Sequence, residues 1–319
     1  MLRTAVVGVG SLGRHHARIL SDLPGSTLVA VCDADRARAE AVAAEYGCGV
    51  AASHRDLAGL ADAVSVVVPT VDHAAVSCDL LRAGVACLVE KPIAATVAEA
   101  DRIIEAAREG SAVLQVGHVE RFNPAVTAVH GRVTRPRFIE CHRLAAFTPR
   151  SLDIDVVMDL MIHDIDVILS IVRAEIVEIN AAGIGVLTPR VDIANARIEF
   201  SDGCIANVTA SRVSAERVRK LRFFQPNDYV SIDFANRAVD VLTLLPPSPG
   251  DDRPQIASVS VPVEEVEPLR AELGSFLEAV RGEHPPLVPG EDGRRALLVA
   301  TRVLESIGEH AQKAGITFR

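Results

Sequence analysis

An apolar run, Thr4–Val9, ends in Gly8-Val9-Gly10-Ser11-Leu12-Gly13, and a helix-forming stretch opening Arg14-His15-His16 follows at once. Few short patterns restrict a fold so far. Gly8 permits the tight turn, Gly10 lets backbone approach a pyrophosphate, and Gly13 lets helix and strand pack closely. The helix start then offers free N–H groups and a positive dipole end to phosphates, at Ser11, Leu12 and Gly13. Alone the pattern is common, and a glycine turn without a ligand reads the same way. Its context argues for a dinucleotide. Asp33 closes the second apolar run, 20 residues beyond Gly13, where a carboxylate accepts hydrogen bonds from the adenosine ribose. Asp33 would repel a 2′-phosphate, so NAD is favoured over NADP. Arg36 and Arg38 lie close enough in sequence to leave NADP open.

The first 120 residues keep alternating. Thr4–Val9, Thr27–Cys32, Ala63–Val68, Ala86–Glu90 and Val113–Gly117 are Val-rich, nearly continuous runs, as parallel strands buried on both faces should be. Asp35–Glu45, Ala74–Arg82 and Val97–Arg108 between them are rich in Ala, Arg and Glu and predict helices. The expectation is an α/β chain whose residues 1–120 form a doubly wound Rossmann domain. After Arg121 the pattern changes. A helical run, Leu152–Val172, precedes the strands Ile176–Ile184, Ala194–Phe200, Cys204–Ser211, Val218–Phe224 and Tyr229–Phe234. Asp202-Gly203 and Pro226-Asn227-Asp228 mark hairpin turns, Pro246–Gly250 a loop, and Pro285-Pro286 a break between helices Val266–Val280 and Glu291–Lys313. Residues 121–319 therefore predict an α+β domain on an open, mainly antiparallel sheet, with terminal helices free to pack back on the first domain. One face of such a sheet needs cover, which points to a homodimer or homotetramer.

Composition excludes several functions. A net charge of −9, 3% aromatic residues and no Trp argue against nucleic acid as the main partner. No stretch of about 18 apolar residues is free of charge, which argues against membrane insertion. The N-terminus lacks the long apolar segment of a signal peptide and predicts a first strand. Six scattered cysteines show no metal-ligand spacing, and are expected to be small buried groups in a reducing cytoplasm, with no metal bound.

Chemistry gathers at two places. Glu90-Lys91-Pro92 ends a strand, and in open α/β sheets ligands sit beyond the carboxyl ends of strands. The chain has three lysines (Lys91, Lys220 and Lys313), and Arg supplies every other cation. A Lys in a cleft can shift its pKa as Arg cannot; a surface Lys before a turn is the plainer reading. The second place is the helix Leu152–Val172, where Asp155, Asp159, His163 and Asp166 follow in steps of four, four and three and predict one polar face on an otherwise apolar helix. Helix-dipole complementation would explain Asp153 and Asp155, but hardly His163.

The ordered set Gly8-x-Gly10-x-x-Gly13-x-x-His16, Pro69-Thr70-x-x-His73, Glu90-Lys91-Pro92 and Asp159-x-x-x-His163 resembles the glucose–fructose oxidoreductase/inositol dehydrogenase/rhizopine-catabolism (Gfo/Idh/MocA) superfamily along the whole chain. The resemblance implies reversible hydride transfer between NAD(P) and a sugar or cyclitol hydroxyl. Lys91 and His163 would flank the reacting carbinol, with Asp159 orienting His163. Thr70 and His73 would line the cofactor cleft, with Glu90, Pro92 and His118 also on the cofactor side. Gln115–Pro124 and Asp159–Asp166 further resemble bacterial and archaeal UDP-N-acetylglucosamine 3-dehydrogenases. Those enzymes oxidise carbon 3 of the sugar, supplying 3-amino sugars for lipid A or other glycoconjugates. On that reading His118, Arg121, Asn123 and Arg212 join Lys91, Asp159 and His163 around a nucleotide-sugar.

Arg212, Arg217, Arg219, Lys220 and Arg222 cluster in an acidic chain, and such a patch can hold a diphosphate or simply face solvent. Arg219 and Lys220 point to opposite faces of a strand. Either His163 takes the hydroxyl proton while Lys91 stabilises the alkoxide, or Lys91 is the base and His163 an orienter. The alternatives are a free-sugar or inositol dehydrogenase and a non-catalytic NAD-sensing regulator.

Overall fold

The computed structural model describes residues 1–148, 154–247 and 253–316. The chain forms two units, Met1–Phe122 with Glu267–Leu297, and Asn123–Val266 with Leu298–Arg319.

The first unit is built on β1 (Leu2–Val7), β2 (Ser26–Cys32), β3 (Gly49–Val50), β4 (Ala63–Val66), β5 (Ala86–Glu90) and β6 (Leu114–Gly117). All pairings are parallel and the order is β3-β2-β1-β4-β5-β6. That doubly wound order reverses between β1 and β4, and ligands bind outside the carboxyl ends of strands at such a switch point. β4, β5 and β6 are buried at every residue, which is why they read as unbroken apolar runs. Helices α1 (Ser11–Asp22), α2 (Arg36–Tyr46), α3 (Thr70–Arg82) and α4 (Val97–Glu109) connect them. Asp35 caps α2 by accepting the Arg38 N–H, and Thr96 caps α4 by accepting the Glu99 N–H. β3, two residues long, is too short to leave a sequence signal.

The chain returns to this unit near its end. α7 (Pro268–Val280) buries Leu273, Phe276 and Leu277 in one cluster with Ile19, Leu20 and Leu28. Val116 N–H donates to Val288 C=O at 2.9 Å, and the Gln115 amide donates to Glu272 C=O at 3.2 Å. The division falls at 122/123, and Glu267–Leu297 belongs with the first sheet rather than with residues 123–266.

The second unit opens with the short α5 (Pro124–Thr127) and β7 (Phe138–Leu144). A π-helical turn, Val157–Met161, leads into α6 (Ile162–Ile171). Then come β8 (Ile176–Ile184), β9 (Ile193–Phe200), β10 (Ile205–Ser211), β11 (Val218–Phe224), β12 (Asp228–Asp233), β13 (Ala238–Leu245) and β14 (Gln255–Ser260). The last helix, α8 (Gly290–Ala314), ends here. The sheet order is β14-β13-β12-β11-β7-β10-β9-β8, antiparallel except where β7 runs parallel to β10. One face carries Ile139, Cys141, Ala196, Val208, Phe223 and Val230, all fully buried. Ser306 of α8 accepts the Ala181 N–H and donates to Ile179 C=O, which occupies the backbone of the edge strand β8.

β7, β13 and β14 were not foreseen. The helix expected from Leu152 is observed from Val156 onward; Leu152 and Asp153, and Ser248–Gly250 of the expected loop, lie outside the described residues. All six cysteines are free, and five are buried. Among the described residues no helix is long and apolar enough to cross a membrane.

Candidate functional site

The glycine turn is shaped as its chemistry requires. Gly8 has φ +86°, and a Cβ there would meet Val67 O at 2.5 Å. A Cβ on Gly13 would lie 1.8 Å from Gly8 O, so helix and strand touch through bare backbone. Gly10 differs: a Cβ there would meet only Arg38 Nη1, at 3.9 Å. That open side borders a cavity of about 500 Å³ lined by Val9, Ser11, Arg14, Arg38, Ala41 and Val42. Ser11 and Leu12 are exposed at the start of α1. Asp33 accepts the Val9 and Asp35 N–H groups, each at 2.8 Å, which aims its carboxylate at the turn. Two tight glycines, one open glycine, a free helix start and an anchored carboxylate fit a dinucleotide. Arg38 Nη1 lies 3.6 Å from Asp33 Oδ2, so a cation also stands at the ribose end.

Lys91 follows β5 and is partly exposed; its peptide bond to Pro92 is cis. Glu90, buried behind it, accepts the Lys91 N–H on Oε2 at 3.1 Å. Burial alone would push the Glu90 carboxyl up, but the contact with His16 and the charge of Lys91 outweigh it and hold the group below its usual range. His73 sets its two ring nitrogens against Pro92 O (2.9 Å) and Val68 O (3.0 Å), tying the chain after β4 to the chain after β5. His118 is wholly buried after β6. Burial, then the charges of Lys91 and Arg121, push its pKa down to about 3, so it is neutral at physiological pH. Both histidines were expected at the cofactor cleft; in the structure they are buried, His73 at 1% and His118 at 0% exposure. Thr70 starts α3 and is partly exposed.

Arg121 and Asn123, expected at the sugar, are also buried. Arg121 lies 3.5 Å from Asp292 Oδ2 and donates to Leu287 C=O at 3.4 Å. Asn123 caps α5 through the Ala125 N–H and donates to Phe234 C=O. Whatever they do for a ligand, they already hold backbone.

In the second unit the expected stripe of four narrows to two. Asp155 lies ahead of the helix: its Oδ1 accepts the Val191 N–H, and its carbonyl accepts Met158 and Asp159 N–H groups. Asp166 is buried. Asp159 and His163 remain partly exposed. Asp159 sits in the π turn, where the Ile162 N–H reaches back five residues to Val157 C=O. A step of four falls just short of that wider turn, so the pair still shares a face. Such turns recur at functional sites. Next to His163, Asp164 is 1% exposed and receives Arg143 through Nε (2.9 and 3.0 Å) and Nη2 (2.6 Å). The guanidinium also stands 5.5 Å from the Phe234 ring centre. This buried pair fixes α6 on the sheet one residue from His163.

The five cations do not form one patch. Arg212 is buried, donates to Ile154 C=O and lies 3.9 Å from Asp192. Lys220 pairs with Asp233 at 3.5 Å and Arg222 with Glu140 at 3.0 Å, both across neighbouring strands. Arg219 lies on the opposite face from both. Sequence reasoning missed the Arg143–Asp164 pair and the contacts of His16, although His16 was visible as the end of the first motif.

Comparison with known proteins adds to this geometry. A profile of the oxidoreductase family with the NAD-binding Rossmann fold (GFO/IDH/MocA) matches residues 2–118, and the C-terminal domain of the same family matches residues 125–225. The chain is 39% identical to a UDP-N-acetylglucosamine 3-dehydrogenase of Acidithiobacillus ferrooxidans, over 98% of this chain and 99% of that one. A solved structure of an enzyme of that name from the same organism superposes with a TM-score of 0.90, covering 96% and 97% of the two chains. An inositol 2-dehydrogenase of Rhizobium meliloti is 26% identical over 98% of both.

Proposed function

Since the chain belongs to the GFO/IDH/MocA oxidoreductase family, we propose that it oxidises the carbon-3 hydroxyl of UDP-N-acetylglucosamine, with NAD as acceptor, giving a 3-keto nucleotide-sugar for 3-amino-sugar glycoconjugates such as lipid A. The observation that carries the substrate is the 39% identity to a named enzyme of that activity along essentially both full chains. The glycine cradle and Asp33 support the cofactor, and Asp33 favours NAD although Arg38 stands beside it.

The glycine turn Gly8–Gly13 and Asp33 would hold the NAD, which would supply a hydride acceptor for the carbinol carbon. The protein supplies position and proton handling. The charge of Lys91 helps to hold Glu90 anionic, and the same mutual attraction favours the ammonium form of Lys91. That suits Lys91 Nζ to stabilising the developing alkoxide rather than to accepting a proton, and leaves His163 as the general base, held by Asp159. Neutral, buried His118 adds no competing charge.

A second copy of the chain is the proposed cover for the open sheet face. Phe138, Phe224, Tyr229 and Leu242 stand side by side across β7, β11, β12 and β13 there, with Leu244 and Ile256 beside them. Phe224 is 41% exposed and Ile256 68%.

The deciding experiment is a thermal-shift panel of NAD, NADP, UDP, UDP-N-acetylglucosamine and myo-inositol, followed by NADH absorbance. NAD and UDP should both raise Tm by linkage, and UDP-N-acetylglucosamine should yield NADH. Turnover of myo-inositol without protection by UDP would move the assignment to the inositol dehydrogenases. Lys91→Met should lose most turnover while still binding NAD.

A further inference from the structure

Three polar side chains from three elements meet in the interior of the first unit. His16 (α1) is 0% exposed, Ser65 (β4) 1% and Glu90 (β5) 8%. Ser65 Oγ lies 2.7 Å from His16 Nδ1, a hydrogen bond. His16 Nε2 lies 3.2 Å from Glu90 Oε1, in direct contact although out of line for a good hydrogen bond. Glu90 Oε2 accepts the Lys91 N–H. Buried polar groups are costly unless each finds a partner, so a chain of this kind is retained only where its members fix one another.

A second observation, independent of His16, concerns the space given to Glu90. A Cβ on Gly117 of β6 would lie 3.0 Å from Glu90 Cδ and 3.1 Å from Oε1. The carboxylate is thus seated against bare backbone on one side and an imidazole on the other. It is held in one place, with Oε2 on the Lys91 backbone N–H.

We propose that His16, fixed by Ser65, is a positioning residue for Lys91 that acts through Glu90: it holds the carboxylate in place and anionic, and thereby sets how readily Lys91 gives up its proton. The proposal rests on the catalytic reading of Lys91 given above and extends it to a residue that touches neither substrate nor cofactor. A buried carboxyl without a cationic or hydrogen-bonding neighbour takes up a proton. With His16 in place Glu90 instead stays below its usual range, against the effect of burial. The other charged or titratable groups acting here are His73 of α3, His118 and Arg121 after β6, and Asp292 of α8. His118 is neutral and Arg121 lies 3.5 Å from Asp292, while Glu90 both accepts the Lys91 N–H and interacts with the Lys91 charge.

The lysine count makes the test direct, because Lys220 and Lys313 are internal controls. The full chain is treated with acetic anhydride across a pH series, and modification at each lysine is read by peptide mass spectrometry. This needs no substrate, so it stands even if the proposed activity fails. Glu90→Gln should lower the midpoint for Lys91 by roughly 1–3 pH units, the usual effect of losing an opposite charge at close range. His16→Gln should move it the same way, with Lys220 and Lys313 unmoved. In turnover, the limb of the pH–rate profile set by Lys91 should move to lower pH in step. A His16→Gln protein that folds and binds NAD yet leaves the Lys91 midpoint unchanged overturns the proposal. Should that variant not fold, Ser65→Ala keeps the ring and removes only its Nδ1 partner. It must give a smaller shift in the same direction, and no shift overturns the proposal equally.

Discussion

At the carboxyl ends of β1, β2, β5 and β6 stand Gly8, Asp33, Lys91 and His118. Along β7, β11 and β12 stand Glu140, Arg222, Lys220 and Asp233, each already matched by a neighbour across the sheet. The first sheet is covered on both faces and keeps its chemistry at strand ends, where backbone groups are unused. The second has one open face and keeps polar groups along its strands, where cross-strand pairing neutralises them. Residues at strand ends are therefore candidates for ligands, whereas ladder charges are first of all candidates for one another. Arg143–Asp164 breaks the rule on the buried face: it is a ladder position whose partner comes from a helix.

That exception predicts the largest effect. Arg143→Met leaves Asp164 as an uncompensated buried charge, and should cost about 3–5 kcal/mol in denaturant unfolding. Arg143→Met with Asp164→Leu should recover most of it, because replacing both partners removes the stranded charge. Equal losses in the single and double variants would mean that packing, not charge, holds α6.

The glycines test the strand-end half of the comparison. Gly13→Ala places a methyl 1.8 Å from Gly8 O, with only backbone to give way, and should cost about 3 kcal/mol of stability. Gly10→Ala meets nothing closer than 3.9 Å. It should leave unfolding within about 0.5 kcal/mol of the parent, yet weaken NAD at least tenfold in calorimetry, because its methyl projects into the side left for the cofactor. A destabilised Gly10→Ala with normal NAD affinity would reverse the roles assigned to the two glycines.

The same contrast explains what could be read from the sequence. β1, β2, β4, β5 and β6 were legible because strands buried on both faces must be apolar throughout. The strand-end residues were legible because they follow those runs directly. β7 was hidden by Arg143, which interrupts an otherwise regular alternation and makes sense only with Asp164, 21 residues on. β14 carries mostly exposed residues and leaves no apolar rhythm. Ala238–Leu245 does alternate, and could have been found. The π turn changes the helical period without any residue that announces it, and the four-residue stripe reaches too far at both ends: Asp155 lies ahead of the helix and Asp166 is buried. The partners of His16 lie 49 and 74 positions away, on β4 and at the end of β5. No local pattern reports them.

Asp192 offers a pH-resolved test within the second unit. It is fully buried. Burial pushes its carboxyl up, but the N–H groups of Leu187, Thr188 and Val186 and the Thr188 hydroxyl outweigh that, and the net direction is down. A carboxyl depressed on folding contributes stability above its unfolded value, and loses it as pH falls through the folded one. Asp192→Asn should therefore be less stable at neutral pH by about 2 kcal/mol, and its stability should fall less steeply with acid below about pH 4. Parallel acid slopes for the two proteins would remove Asp192 from the acid transition.

The smallest expected effect bears most directly on the ladder charges. Arg222 and Glu140 are both partly exposed, 3.0 Å apart, and such pairs contribute at most about 1 kcal/mol. Arg222→Ala should thus barely move Tm, which by itself says little. UDP is the sharper probe. If Arg222 is matched by Glu140, the Tm rise produced by UDP will be the same in Arg222→Ala as in the parent. If the cations of β11 instead serve a diphosphate, the rise will shrink even though the unliganded protein is unchanged. Salt separates the two further. A phosphate contact would make UDP protection fall with ionic strength more steeply in the parent than in the variant, whereas a neutralised pair leaves the two salt dependences parallel.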